Sequence, residues 1–169
     1  KVIETVGGCN VLLGIIAMAR DMESLYAGVK ALVCVLKSNP FAHYEMDSNK
    51  GYQTLAMLLR KKLPLLNAHI LHLMFTMAGT VDSAKEVVGI PNISAFRDIL
   101  CDLELWHGAP ADIEKSLFEH FFELISDSNS NNGSNNGNVS FSYNEGVKIF
   151  DMSKGTVSRS LKQLEEYGF

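Results

Sequence analysis

Apolar residues recur at three- and four-residue steps from Gly8 to Ile125, and no alternating run long enough to make a strand interrupts them. In the stretch Met22–Lys37, Leu25, Val29, Leu32, Val33 and Leu36 fall on one side, while Lys30 and Lys37 are left for water. A short amphipathic helix is marginal alone and must bury its stripe against neighbours. The spacing predicts helices near Cys9–Ala19, Met22–Lys37, Lys50–Lys62, Pro64–Ala78, Ile93–Leu103 and Pro110–Ser126. Asp21, Asn49 and Asn92 suit N-caps, and Pro64 and Pro110 suit first-turn positions, where the missing amide has no helical partner to lose. The expected class is all-α. Helices joined by short loops stack as a bundle or as the layers of an armadillo-like solenoid, and the solenoid is the preferred reading over residues 1–126.

The composition changes abruptly after Ser126. Residues 127–138 are Asn, Ser, Gly and one Asp, with nothing apolar to bury, which predicts a flexible linker. Residues 139–169 then read as a helix-turn-helix-like segment or a helical hairpin. Asn144 caps a short helix, Asp151-Met152 breaks it, and Ser153 caps a second helix ending at Gly168. Val157, Leu161 and Leu164 would face inward. Lys154, Thr156, Ser158, Arg159 and Lys162 are then the candidate contacts to a DNA major groove. "YNEGVKIFDMSKGTVSRSLKQLEEYGF" is similar to the winged-helix regulators in which an "S-K-G-T-V-S-R" helix start meets DNA.

Charge weighs against that role. In the segment, Lys148, Lys154, Arg159 and Lys162 are matched by Glu145, Asp151, Glu165 and Glu166, and the whole chain has a net charge of −4. Polyanion binding needs clustered cations that release counterions. The clearest cluster, Arg60-Lys61-Lys62, sits at a helix end, where cations favour the macrodipole, and reads as a solvated cap.

No constellation points to chemistry. Cys9, Cys34 and Cys101 are widely spaced and form no CxxC pair, which fits a reducing compartment and neither a disulfide framework nor a thiolate cage. His69 and His72 share a helix face but have no Cys, Asp or Glu beside them to complete a metal site, and His43, His107 and His120 stand apart. Cys101-Asp102-Leu103-Glu104-Leu105-Trp106-His107 gathers a thiol, carboxylates and an imidazole. Adjacency in sequence is not convergence in space, so Leu103 and Trp106 read as core anchors. Val6-Gly7-Gly8-Cys9-Asn10 lacks a phosphate-loop pattern and reads as a turn. Met57, Met74 and Met77 read as core filler. Catalytic, metal and cofactor sites are therefore not expected, nor is a small-molecule substrate. The Asn-x-Ser triplets at Asn92, Asn132 and Asn138 occur by chance in a chain this rich in Asn and Ser. The apolar run Val11–Ala19 is too short to span a bilayer, and the chain, opening on Lys1, reads as a piece of a longer protein.

The stretches "VKALVCVLKSNP", "KGYQTLAMLLRKK" and "SLFEHFFELI" carry a family resemblance. Over residues 7–125 the chain resembles the helical region upstream of the BEACH domain in the Alfy and Blue cheese type of FYVE-domain BEACH scaffolds. The resemblance implies an armadillo-like, non-catalytic segment of a cytoplasmic scaffold that acts through other proteins in selective autophagy and membrane traffic. It also implies autophagosomal or endomembrane association through domains outside these residues. The BEACH, WD40 and FYVE modules are not in the sequence, so no functional residue carries over, and the likeness stops at Ile125.

Overall fold

A computed structural model of the chain describes residues 8–81 and 90–130, with side chains described as far as Leu124. Among the described residues there are helices and no strand, so the fold is all-α. The α-helices are α1 (Cys9–Met18), α2 (Met22–Ser38), α3 (Pro40–Ser48), α4 (Gly51–Arg60), α5 (Ala68–Ala78), α6 (Ile93–Ala95), α7 (Leu103–His107) and α8 (Ala111–Ser130). A 3₁₀ turn at Leu63–Leu65 precedes α5, and α6 runs into a π-helical turn at Phe96–Leu100.

Local chemistry explains most of the boundaries. Asp21 accepts from the Ser24 amide at 2.8 Å while the Ser24 hydroxyl faces the Asp21 amide, making a reciprocal capping box for α2. Asn67 and Asn92 cap α5 and α6 through the amides of Ile70 and Ala95. In α2 the five residues picked out by spacing are all buried and Lys30 and Lys37 are exposed, each buried apolar side chain contributing roughly 1.5–3 kcal/mol. Gly28 lets α1 close on α2, because a Cβ there would stand 3.0 Å from the Ile16 side chain.

Several expectations need correction, among them the start of α5, which falls at Ala68 and leaves Pro64 in the 3₁₀ turn. Helix α3 was not predicted, although Asn39 caps it through the Phe41 amide and Pro40 occupies its first turn. Asn49 therefore ends α3 instead of starting α4, whose N-cap is Lys50 in the left-handed region at φ 54°. The helix expected over Ile93–Leu103 breaks at Cys101, since Asp102 caps a new helix through the Leu105 amide and Trp106 folds back to donate to the Ile99 carbonyl at 2.8 Å. Helix α8 also continues beyond Ser126 to Ser130, into the stretch expected to be linker. The remaining linker and the segment at 139–169 lie outside the described residues.

Two rows form, each joining helices three apart in the chain. Helix α4 lies against α1 and α7, and α5 lies against α2 and α8. Sequential neighbours α1 and α2, α2 and α3, and α3 and α4 close the layers. Buried residues from Cys9 to Phe121 form one continuous core. Helices α3 and α6 are tied together through Asn92. Its Nδ2 donates to the Tyr52 hydroxyl at 2.9 Å and to the Met77 carbonyl at 3.1 Å, and lies 3.4 Å from His43 Nδ1. Its backbone amide donates to the Ala78 carbonyl. One side chain thus links α3, α4, α5 and α6.

Asn92→Ala is expected to lower the unfolding free energy by about 2–4 kcal/mol, combining a lost cap with buried partners left without a donor. Tyr52→Phe, which leaves the Met77 bond in place, should cost about 1 kcal/mol. Urea unfolding of both variants and the double variant checks this. The two losses should be less than additive, and an Asn92→Ala midpoint equal to the parent's would deny the linking role.

Candidate interaction surface

Helix α1 carries no charged side chain: Cys9, Leu13 and Ile16 face the core, while Val11, Ile15 and Met18 are 39%, 43% and 72% exposed, with Asn10 also exposed. Gly14 and Ala17 are also exposed, as is Met22 at the start of α2. A second apolar surface lies on α3, where Phe41 and Tyr44 are exposed with ring centroids 6.1 Å apart.

The ends of α1 are held by distant charges. Its sequence supplies neither a capping side chain nor an acidic first turn nor a basic last turn. The Cys9 amide donates to Glu45 Oε1 of α3 at 2.9 Å, and Lys62 donates to the Ala19 carbonyl at the other end. Gly8 allows this arrangement with φ at +63°, and a Cβ there would overlap the Glu45 carboxylate. The backbone at Gly8 is therefore not an open anion cradle. The anion at this helix start belongs to the protein.

The cationic cluster has a structural role different from the solvated cap expected. Arg60 forms a fork with Asp102, at 2.6 and 3.0 Å, and reaches Glu104 at 2.8 Å, tying α4 to α7. Lys62 is committed to α1, and Lys61 is exposed.

Cys101 through His107 do not converge. Burial first, and Asp98 second, push the Cys101 thiol up to about 12. Asp102 and Glu104 are engaged by Arg60, Trp106 is buried, and His107 lies 3.4 Å from Glu114. Leu103 is half-buried against the core as an anchor. Burial, with Glu45 alongside, also pushes the Cys9 thiol up to about 11. His69 and His72 are both exposed. His69 sets its ring edge-on to Tyr26, and no group of three ligating side chains forms among the described residues. Met74 and Met77 are core residues, but Met57 is half exposed, contrary to its expected place. Lys154, Thr156, Ser158, Arg159 and Lys162 lie outside the described residues. Among those residues, no helix is long and apolar enough to cross a membrane.

His120 escaped the sequence reading as a structural residue. Its ring stacks on Phe75 at 3.9 Å, and its Nε2 lies 2.8 Å from Thr80 Oγ1. The Thr80 hydroxyl donates to the Phe75 carbonyl, so it accepts from Nε2–H, and Nδ1 lies 3.7 Å from Glu123 Oε2. Burial lowers its affinity for a second proton, partly opposed by Glu123 and reinforced by His72.

The arrangement defines an all-α segment with structurally committed polar groups and apolar outer faces. Over 123 residues, 73% of the chain, it is 42% identical to WD repeat- and FYVE domain-containing protein 4 of Homo sapiens. It is 38% identical over the same length to the Mus musculus protein of that description. Over 76 residues, 45% of the chain, it is 30% identical to BEACH domain-containing protein A2 of Arabidopsis thaliana. The chain belongs to the BEACH and WD-repeat/FYVE family as one region of such proteins. The matched stretch is 4% of the length of the human and mouse relatives. No family model and no solved structure matches.

Two measurements follow. Iodoacetamide at mildly alkaline pH should modify the exposed Cys34 of the native protein and spare Cys9 and Cys101, with all three reacting in denaturant. A native Cys101 as reactive as Cys34, read by peptide mass mapping, would contradict the buried thiol. For His120, the folded value lies below the ordinary 6.5, so the unfolded chain binds the extra proton more readily. Its contribution is fully present above pH 6.5 and is lost as pH falls from there through the folded value. Thermal melts across that window should fall more steeply in the parent than in His120→Gln, and parallel profiles would refute the assignment.

Proposed function

We propose that the chain is a non-catalytic, armadillo-like scaffold segment that makes protein–protein contacts in selective autophagy and membrane traffic. The observation that carries the reading is the three-helix period, in which α4 lies between α1 and α7 and α5 between α2 and α8. Stacked layers of this kind bury a continuous core and leave long outer faces for partners. Membership of the BEACH and WD-repeat/FYVE family supports the trafficking part. The commitment of Asp102, Glu104 and the Cys101 thiol to structure supports the non-catalytic part. In this reading the segment is cytoplasmic, and domains of the longer protein bring it to autophagosomal or endomembrane surfaces. Residues following Ser130 link it to the helix-turn-helix-like segment at 139–169.

The rival reading is duplex DNA binding by that segment, favoured by the "S-K-G-T-V-S-R" helix start with Lys154, Arg159 and Lys162 on one side. One comparison separates the two. Cells whose copy lacks residues 9–130 should clear aggregated protein more slowly, measured by filter trapping, and the purified chain should not shift duplex DNA at low salt. Unchanged clearance removes the autophagy role. A low-salt mobility shift that Arg159→Ala abolishes without unfolding the chain would favour the rival.

A further inference from the structure

We infer that the chain's own closing segment docks on the scaffold: the helix expected from Ser153 lies across the outer face of α2, α5 and α8, with Lys154 at Glu123 and Glu165 at Lys30.

The receiving face is continuous and polarised. Lys30 of α2 holds its Nζ 5.5 Å from the centre of the Tyr26 ring, and Tyr26 meets His69 of α5 edge-on. His72, one turn further along α5, is close enough to His120 of α8 to oppose its protonation, and His120 Nδ1 lies 3.7 Å from Glu123 Oε2. A band thus crosses the row from a cation on α2 to a carboxylate on α8. The other charges follow the same polarity. Lys37 is exposed on α2, whose Glu23 belongs to the first turn, while on α8 Glu119 is exposed and holds Lys115 at 3.8 Å. Between the ends the surface is made of rings: Tyr26, the two imidazoles of α5, and Phe122, 57% exposed next to Glu123. Such side chains present an apolar body with a polar tip and can take aliphatic groups against their faces.

The sequence from Ser153 carries the matching order. On a helix, Lys154, Val157, Leu161, Leu164 and Glu165 fall within about 100° of one another around the axis. Lys154 and Glu165 stand about 20° apart around it and about 16 Å apart along it. Packed helices are spaced by about 8–10 Å, so α8 and α2, two spacings apart in their row, are separated by about 16–20 Å. Laid across the row from α8 to α2, the helix brings each terminal charge to its opposite and sets Val157, Leu161 and Leu164 over the rings. The reversed direction would place Lys154 beside Lys30 and Glu165 beside Glu123, so the charges select one orientation.

The tether favours the same occupant. Helix α8 ends at Ser130, and the twenty-two residues between it and Ser153 have a contour of about 70 Å, ample for the crossing. A short tether holds its cargo at an effective concentration of about a millimolar, at which a modest polar interface is occupied. Docking in this way uses Lys154, one of the residues that duplex binding would need, so the two states of the segment exclude one another.

Carbodiimide cross-linking of the 169-residue chain, which joins a carboxylate to a lysine only where they touch, tests the docking. Peptide mass mapping should recover links between Lys30 and Glu165 and between Lys154 and Glu123. Lys30→Glu, at an exposed position, should reduce the first link several-fold without moving the thermal melt, and adding Glu165→Lys should restore a link between positions 30 and 165. Absence of both links in the parent overturns the docking, as does a link to Glu165 on α2 that Lys30→Glu leaves unchanged. In a mixture of isotope-labelled and ordinary chains, links that join one kind to the other show the segment docking on a second copy, and also overturn the proposal.

Discussion

The layers depend on how one buried phenol is satisfied. Tyr52 stands at the start of α4 with its ring 1% exposed, and a hydroxyl carried into a core at that depth destabilises the fold unless it is paired. It accepts from Asn92 and faces His43 Nδ1 at 3.1 Å, so it can donate there. Burial first pushes its pKa up to about 12, a shift the Asn92 bond opposes, and the group stays a neutral donor and acceptor. Apolar burial joins the rows α1–α4–α7 and α2–α5–α8, but it is non-directional and tolerates sliding. The bonds at Tyr52 and Asn92 are directional. They tie α3 and α6 to those rows at one defined place.

A related division of labour governs α1. Its composition serves burial and leaves nothing for its own ends, so Glu45 from α3 and Lys62 beyond α4 provide the charges. Helix ends are the points where a buried apolar helix still exposes polar backbone. Capping from a distance lets the sequence of α1 stay uncharged throughout. The same bonds attach α1 to two other elements at its two termini, so the apolar helix is located by polar contacts as well as by packing.

Local and tertiary information separate cleanly among these elements. Helix α2 was readable because its stripe, its Asp21 cap and its exposed lysines are all encoded within one stretch. Helix α3 was missed because nine residues bury only Ala42 and Met46, leaving Phe41 and Tyr44 outside, so its apolar spacing is weak. The Asn39-Pro40 start was the signal that could have found it. The break after Leu100 depends on Trp106 reaching back to Ile99, which no spacing announces. At the candidate surface, the lack of charge in α1 was visible in sequence, but which side of it faced outward was decided by Gly28 and the packing of α2. His120 looked isolated because Phe75 and Thr80 lie far away in the chain.

The distribution of charge argues for protein contacts through apolar surface. Arg60 and Lys62, two of the three members of the cationic cluster, are bonded to Asp102, Glu104 and the Ala19 carbonyl. A polyanion would have to displace those partners, and the chain's net charge of −4 would not help it approach. The outer side of α1 and the Phe41–Tyr44 pair offer area to be removed from water instead. Association on such faces gains from shape and burial, whereas counterion release would dominate on a basic surface. Those two patches are apolar parts of a surface that elsewhere exposes Lys30, Lys37, Lys61, Glu119 and Glu123, so any gain from burial is local to them.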